Sequence, residues 1–364
     1  MHRALALAAR SLPSPNPRVG AVIVREGHLV AEGFHTRPGE PHAEAVALAR
    51  AGQGAKGATV YVNLEPCVHY GRTPPCVDAL LRAGVARVVV GIEDPDPKVQ
   101  GEGIRRLREA GVEVSVGVLA REARRLNEAY LYHRRTGRPW VIGKWAMSWD
   151  GKIATSSGES RWLSGPEARR RVHRLRREVD AVMVGCGTAL RDDPLLTPRE
   201  EGGEGAPLRA RPLWRVVVDS RGCLPLTARL VRTAHQTPTL VATLEEVPWD
   251  WRQGLENAGV QVWHLPAREG RVDLKALLLR LGQEGILSVL VEGGGTLLAG
   301  LQDRGLLNKV WVFLCPWLIG GQKAPTPLEG RGVLHLSEAP RLREVRWEAV
   351  GEDLWLEGYL TEPE

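Results

Sequence analysis

The chain has no stretch approaching the roughly 18 uninterrupted apolar residues that a membrane span needs. Its opening, Met1 to Arg10, holds only a short Ala/Leu run that Arg10 and then Pro13 interrupt, so neither a span nor an export signal is expected there. Cysteine is scarce. Cys67, Cys76, Cys186, Cys223 and Cys315 are odd in number and scattered, which argues against a disulfide framework and for a reducing compartment, the cytoplasm. Outside the Arg-rich helix pattern from Glu167 to Arg177, blocks of basic residues, and basic residues interleaved with aromatics, are also lacking, so no dedicated nucleic-acid surface is expected. Lys and Arg (49) do exceed Asp and Glu (43), for a net charge of +6. That excess suits phosphorylated substrates, and equally a soluble surface that is merely basic. There is no internal repeat, no low-complexity tract, and no classical Gly-x-Gly-x-x-Gly fingerprint set between a strand and a helix pattern with an acid about twenty residues on, which disfavours a Rossmann dehydrogenase.

What is present is enough chain for two cores, 364 residues of which 43% are apolar. The first third alternates strand and helix patterns: a hairpin from Gly20 to Arg25 and Leu29 to Gly33, a helix from His42 to Ala51, and a strand from Thr59 to Leu64. A helix from Cys76 to Ala83, a strand from Arg87 to Ile92, a helix from Ile104 to Ala110 and a strand from Val112 to Val118 follow, with Gly52, Gly84 and Gly111 as helix stops. This predicts a layered α/β domain with a partly parallel sheet. A polar helix from Arg121 to Arg134 leads to Arg135-Thr136-Gly137-Arg138-Pro139, whose Gly, Pro and charge mark a border, giving domains 1–138 and 139–364. The second domain repeats the logic with strands at Trp140 to Met147, Ala181 to Gly185, Arg215 to Asp219, Thr239 to Thr243, Val260 to Leu265, Ser288 to Glu292 and Lys309 to Leu314. Glu200 to Pro207, acidic and Gly-rich, reads as an exposed excursion without chemistry.

Pro41-His42-Ala43-Glu44, then Leu64-Glu65-Pro66-Cys67, then Pro75-Cys76 form the strongest signal. One His and two Cys can give a tetrahedral zinc three ligands and leave the fourth position open, the mark of a catalytic site. A Glu beside the metal that is not itself a ligand can carry protons from water to a leaving amine. Residues i and i+2 of a regular helix point about 200° apart, so His42 must sit at an unwound first turn if His42 and Glu44 are to share one site. Taken alone, each His or Cys is more often a core residue; the ordered set is what argues for chemistry.

Together with Pro15-Asn16-Pro17-Arg18-Val19-Gly20 and the loop Cys67-Val68-His69-Tyr70-Gly71-Arg72-Thr73-Pro74-Pro75-Cys76, these motifs resemble the pyrimidine deaminases of riboflavin biosynthesis. Base and nucleoside deaminases of the superfamily usually close the site with Cys-x-x-Cys, which this long loop lacks. The resemblance implies a cytidine-deaminase-like three-layer α/β/α fold, zinc on His42, Cys67 and Cys76, and Glu44 as the catalytic proton shuttle. It further implies substrate contacts at Asn16, His69 and Arg72, the last two suited to a phosphate. Asn63 and Val68 stand where the family commonly has Thr and Ser, and Asp96 where it has Asn; the first two are expected to alter packing rather than chemistry.

In the second domain, Val289-Leu290-Val291-Glu292-Gly293-Gly294-Gly295-Thr296 reads as strand, glycine turn and helix start, able to cradle a pyrophosphate or to be simply a tight turn. With Lys144 to Ala154, Ser160-Arg161-Trp162, Val184 to Thr188, Asp192-Asp193-Pro194 and Val218 to Arg221, it resembles the reductase domain of the same pathway, which has a dihydrofolate-reductase-like α/β fold. By that resemblance NADPH contacts fall on Ala146, Trp162, Thr188, Asp192, Ser220, Arg221, Gly294, Gly295 and Thr296. Substrate positions fall on Ser160, Arg176, Leu196, Arg199 and Glu292, Arg being suited to bidentate phosphate binding. Asp192, Glu292 and Lys144 are the ionisable candidates for the proton the reduction requires, and the sequence does not order them. Lys144 could instead be a strand-edge charge, Asp192 a turn residue and Arg176 a solvated charge on the helix from Glu167 to Arg177. Cys186, Cys223 and Cys315 show no ligand spacing and read as packing residues.

The expectation is a bifunctional zinc- and NADPH-dependent enzyme acting on phosphorylated pyrimidines, without nucleic-acid or membrane partners, its oligomeric state left open with a homo-oligomer among the options. Two rival readings make different demands on the sequence. A nucleoside or tRNA deaminase with an appended binding domain requires Cys-x-x-Cys and a basic groove, and the sequence has neither. A non-catalytic binding protein would have little use for Glu44 alongside a full ligand set.

Overall fold

The structure, a computed structural model, describes residues 1–71, 73–198 and 208–362. Arg72, Arg199 and the stretch 200–207 lie outside the described residues. In chain order the elements are α1 (His2–Ala8), β1 (Ser11–Leu12), β2 (Gly20–Arg25), β3 (His28–Phe34), α2 (Ala43–Ala51), β4 (Thr59–Leu64), α3 (Cys76–Arg82), β5 (Arg87–Ile92), α4 (Glu102–Glu109), β6 (Glu113–Val116), α5 (Ala120–Leu126) and α6 (Glu128–Thr136). There follow β7 (Trp140–Ser148), α7 (Pro166–Glu178), β8 (Ala181–Gly185), α8 (Cys186–Asp192), β9 (Leu208–Arg209), β10 (Trp214–Val218), α9 (Arg229–Arg232), β11 (Thr239–Thr243), α10 (Trp249–Asn257) and β12 (Gln261–His264). The last are β13 (Ala267–Arg268), β14 (Arg271–Val272), α11 (Leu274–Gln283), β15 (Ser288–Val291), α12 (Gly295–Gln302), β16 (Lys309–Cys315), β17 (Arg343–Val350) and β18 (Asp353–Tyr359).

The chain divides into two compact units after Gly137. Among the described residues the first unit has a five-stranded sheet in the order β3-β2-β4-β5-β6. The hairpin strand β2 runs antiparallel to β3 and β4, and β4, β5 and β6 run parallel. Alternate residues Ala21, Ile23, Val60, Val62, Val88 and Val90 turn one face of the sheet toward Ala43, Ala47, Val77, Leu80, Ile104 and Leu107 of α2, α3 and α4. Val22 points to the other face, where Ala4 and Leu7 of α1 cover it. Three layers result. Residues 208–211 also belong to this unit, because β9 pairs in parallel with β1.

The single polar helix expected from Arg121 to Arg134 is two helices, broken at Asn127. This side chain is buried and serves the backbone of Arg18, accepting its N–H on Oδ1 at 2.8 Å and donating Nδ2 to its carbonyl at 3.0 Å. An amide committed to another segment's backbone competes with helix continuation. The strand replacement Asn63 does related work, accepting from Gly20 N–H at 2.8 Å and donating to the Arg18 carbonyl at 2.9 Å.

The second unit holds, among the described residues, a nine-stranded sheet in the order β12-β11-β10-β8-β15-β7-β16-β18-β17. It is parallel from β12 through β16 and closes with the antiparallel hairpin of β18 and β17. That hairpin was not anticipated, since β17 is mostly exposed and its charged residues obscure the two-residue period. β7 lies in mid-sheet, so Lys144 is not a strand-edge charge; burial pulls its ammonium below the usual lysine range. Among the described residues no helix is long and apolar enough to cross a membrane.

Candidate functional site

In the first unit, β4 ends at Leu64 and runs directly into Glu65-Pro66-Cys67. His42 is the N-cap of α2 in an extended conformation (φ −70°, ψ 162°), so it stands outside the helical turn that carries Glu44, as the two-residue spacing demanded. Gly33 makes this placement possible, because a Cβ there would lie 2.6 Å from the Ala43 carbonyl oxygen and 2.8 Å from the Ala47 nitrogen. Cys76 opens α3, and its backbone N–H points to Cys67 Sγ at 3.4 Å. Glu65 acts behind the loop: its buried carboxylate accepts N–H bonds from Asp94, Gly101, Gly103 and Ile104 at 2.8–3.1 Å.

His42 Nδ1 is 3.3 Å from Cys76 Sγ and 3.4 Å from Cys67 Sγ, and the three donor atoms lie within 4.8 Å of one another. A tetrahedral zinc with bonds of about 2.0–2.3 Å spaces its ligands by about 3.5–3.8 Å, so this donor set fits the ion. Thr73 Oγ1, 3.2 Å from His42 Nε2, fixes the ring from its far side. The hydrogen bond from Cys76 pulls the Cys67 thiol down to about 4, while Cys76, bonded to Cys67 and buried, is pushed up. Burial raises the Glu44 carboxyl to about 7, where it can both take and give a proton near neutrality.

His42, Glu44 and Cys67 line a cavity of about 700 Å³ that also takes in Asn16, His69 and Thr73. His69 Nδ1 is buried without a hydrogen-bond partner among the described residues. Sequence reasoning missed other parts of the wall. His35 contacts Asn16 Nδ2 through Nε2 at 2.9 Å and meets the His42 ring edge-on, centroids 5.2 Å apart. Tyr130 donates to both carboxylate oxygens of Asp94 at 3.1 Å, and Arg134 pairs with Asp96 at 3.3 Å. Tyr130 and Arg134, four residues apart on α6, could have been read as one helix face. Arg211 had no local signal, since it reaches this wall only through the β1–β9 pairing.

In the second unit, a cavity of about 730 Å³ is lined by Thr188, Ser220, Arg221, Gly294, Gly295 and Thr296, six of the expected cofactor contacts. Gly294 N–H donates to Thr188 Oγ1 at 3.1 Å, tying the turn before α12 to α8. The N-terminal turn of α12 and the unanticipated Arg191 and Arg271 make the wall a fit for a phosphorylated dinucleotide. Ala146, Trp162 and Asp192 do not line this cavity: Ala146 packs by Ala168 and Phe313, Trp162 is exposed beneath Arg169, and the Asp192 carbonyl accepts from Arg161. Arg176 is no solvated charge. It grips Glu292 bidentately, at 2.6 and 3.0 Å, and donates to the Thr197 carbonyl at 3.0 Å. Burial opposes the Glu292 charge, yet Arg176 and Lys144 hold its carboxyl below the ordinary range. Leu196 is buried and Ser160 half-buried, both outside the cavity lining.

Cys186 and Cys223, read as packing residues, are instead brought together with Asp219.

Two family models match: the RibD C-terminal domain over residues 139–356, and the cytidine and deoxycytidylate deaminase zinc-binding region over residues 1–92. The chain belongs to the RibD family. The riboflavin biosynthesis protein RibD of Actinobacillus pleuropneumoniae is 43% identical, covering 100% of this chain and 95% of its own. That of Escherichia coli K12 is 42% identical, with 98% and 97% covered. The solved structure of Acinetobacter baumannii RibD, form 1, superposes with a TM-score of 0.87 at 38% identity, covering 99% and 98% of the two chains. A Thermotoga maritima structure, described as a diaminohydroxyphosphoribosylaminopyrimidine deaminase and 5-amino-6-(5-phosphoribosylamino)uracil reductase, gives 0.84 at 34% identity, covering 99% and 97%. As a RibD-family protein, the chain is a bifunctional enzyme of riboflavin biosynthesis, a zinc-dependent deaminase joined to an NADPH-dependent reductase that acts on small phosphorylated pyrimidines. The first unit is cytidine-deaminase-like and the second dihydrofolate-reductase-like.

Proposed function

We propose that residues 1–138 remove the C2 amino group of 2,5-diamino-6-(5-phosphoribosylamino)pyrimidin-4-one, and that residues 139–364 reduce the resulting uracil's ribosyl group to ribityl, in the cytoplasm and without a nucleic-acid partner. The observation that carries this reading is the convergence of His42, Cys67 and Cys76 beside the buried carboxyl of Glu44. Zinc, held by His42, Cys67 and Cys76, supplies Lewis acidity that makes water nucleophilic near neutral pH, and NADPH supplies the hydride. Glu44 takes the proton that the attacking water gives up and returns it to the departing amine nitrogen. Its raised affinity for protons, caused by burial, suits both halves of that transfer. Asn16 and His69 orient the pyrimidine and its phosphate, with Arg72 as a further phosphate contact.

In the second unit, Thr188, Ser220, Arg221 and the Gly294-Gly295-Thr296 turn hold the dinucleotide, with Ala146, Trp162 and Asp192 as further contacts. Arg176, Arg199, Ser160, Leu196 and Glu292 hold the phosphoribosyl substrate. Of the proton-donor candidates, Lys144 is favoured over Asp192 and Glu292. It is half-buried, and desolvation weakens its hold on its proton, whereas Glu292 is committed as a carboxylate to Arg176. The test is a product assay with the diaminopyrimidine phosphate on protein loaded with one zinc ion per chain, NADPH being in excess when it is added. Ammonia release without NADPH, followed by NADPH oxidation and a ribityl product, is the expected result. Ammonia without NADPH oxidation would sink the assignment of the second unit.

A further inference from the structure

β8 and β10 pair in parallel with Gly185 opposite Val218, so the next residue on each strand, Cys186 and Asp219, leaves the sheet beside its neighbour. Asp219 then organises the turn after β10. Its Oδ2 accepts the N–H groups of Cys223 at 2.7 Å and Leu224 at 2.8 Å, and its Oδ1 accepts that of Arg221 at 3.3 Å. These bonds fold Cys223 back over the carboxylate. As a result Cys186 Sγ, a carboxylate oxygen of Asp219 and Cys223 Sγ all lie within 4.8 Å of one another. Asp219 is 1% exposed, whereas Cys223 is open to solvent, which gives an ion a way in.

We propose that Cys186, Asp219 and Cys223 form a second cation site, of thiolate and carboxylate character, that takes Zn²⁺ or Cd²⁺ in the wall of the second unit's cavity. Two sulfurs and one carboxylate oxygen select a borderline or soft divalent ion over Mg²⁺ or Ca²⁺. The ligand spacing for tetrahedral zinc, about 3.5–3.8 Å, is within a small side-chain adjustment of the separations present. Both thiols release their protons to solvent as the ion binds, and a fourth position stays open to water. The backbone N–H groups that hold Asp219 orient it in advance, the arrangement that steadies a ligating carboxylate. Ser220 and Arg221 immediately follow Asp219 on the same cavity wall. On the reading that this cavity takes NADPH, ion and dinucleotide therefore exclude one another.

The test uses the full chain, saturated with zinc, dialysed against metal-free buffer and assayed for bound metal by mass spectrometry. Cd²⁺ titration is followed in parallel through its thiolate charge-transfer absorbance. The wild type is expected to retain close to two zinc ions per chain, and Cys223→Ser and Cys186→Ala close to one. Cys223 is exposed, so its serine variant should fold. One ion per chain in all three proteins, or a Cd²⁺ signal unchanged by Cys223→Ser, overturns the site, as does a Cys186–Cys223 disulfide mapped in protein isolated without reductant. Saturating Cd²⁺ should weaken NADPH binding by at least about tenfold in the wild type and not in Cys223→Ser. Two ions with unchanged NADPH affinity would keep the cation site and count instead against the dinucleotide reading of the cavity.

Discussion

Glu44 shows how one substitution can separate chemistry from structure. Glu44→Gln keeps the shape and leaves the donor set of His42, Cys67 and Cys76 in place, but it removes the proposed proton carrier. Deamination should fall by about 10²–10⁴-fold with zinc content unchanged and NADPH-dependent reduction intact. A deaminase rate within a factor of a few of the wild type would exclude Glu44 as the shuttle. Arg176 is a structural test as well as a functional one. Arg176→Met strands the Glu292 carboxylate, 11% exposed in its side chain, and should cost about 3–5 kcal/mol in denaturant unfolding of the second unit. Asp94 provides a pH dependence. Burial lifts its carboxyl from near 4 to about 6, so the folded protein binds this proton more tightly than the unfolded chain does. Its contribution to stability is full below about pH 4 and is lost as pH rises through about 6. The wild type should accordingly gain stability relative to Asp94→Asn as pH falls from 7 to 4, and a flat difference in unfolding midpoints would contradict the assignment. At this scale the sequence was most legible where residues of one chemistry sit next to helix starts and prolines, as His42, Cys67 and Cys76 do. His35 and Asp219 were hidden because their partners are remote in sequence: Asn16 and His42 for the one, and for the other Cys186, brought alongside by strand register.

Among the elements, α2 is the most sensitive, since it carries both His42 and Glu44 and lies against Gly33 with no room for a methyl group. Gly33→Ala must push the start of α2 outward, at a typical overpacking cost of about 1–3 kcal/mol. Zinc affinity, measured by competition with a chelator, should drop by tenfold or more for each such 1.4 kcal/mol borne by the ligand set, and unchanged affinity would show that the helix can yield elsewhere. Strands with a buried run were legible to the residue, as with β4, β5, β8 and β11, because hydrophobic period and glycine stops agree there. The break at Asn127 and the hairpin of β17 and β18 were not. In the first a buried amide serves a distant backbone, and in the second an exposed edge carries charge where a core strand would carry valine.

For the whole molecule, each unit has its own core and its own cavity, and the proposed zinc ligands His42, Cys67 and Cys76 all lie in the first unit. Stripping zinc with a chelator should therefore abolish ammonia release without lowering the rate at which separately supplied 5-amino-6-(5-phosphoribosylamino)uracil is reduced. Loss of both activities would mean that the metal also supports the second unit. The reading of domains 1–138 and 139–364 rests on the Gly-Arg-Pro segment after the last helix of the first unit, and the return of residues 208–211 to that unit was not legible, because a two-residue strand leaves no periodic trace.

That return couples the first unit to the timing of synthesis. A ribosome that has just released Gly137 has made the zinc ligands and the sheet but not Arg211, which lines their cavity. Roughly seventy more residues must emerge, several seconds at about 5–20 residues per second. During that interval the nascent deaminase can close its core and gather its metal, yet its substrate cavity still lacks part of one wall.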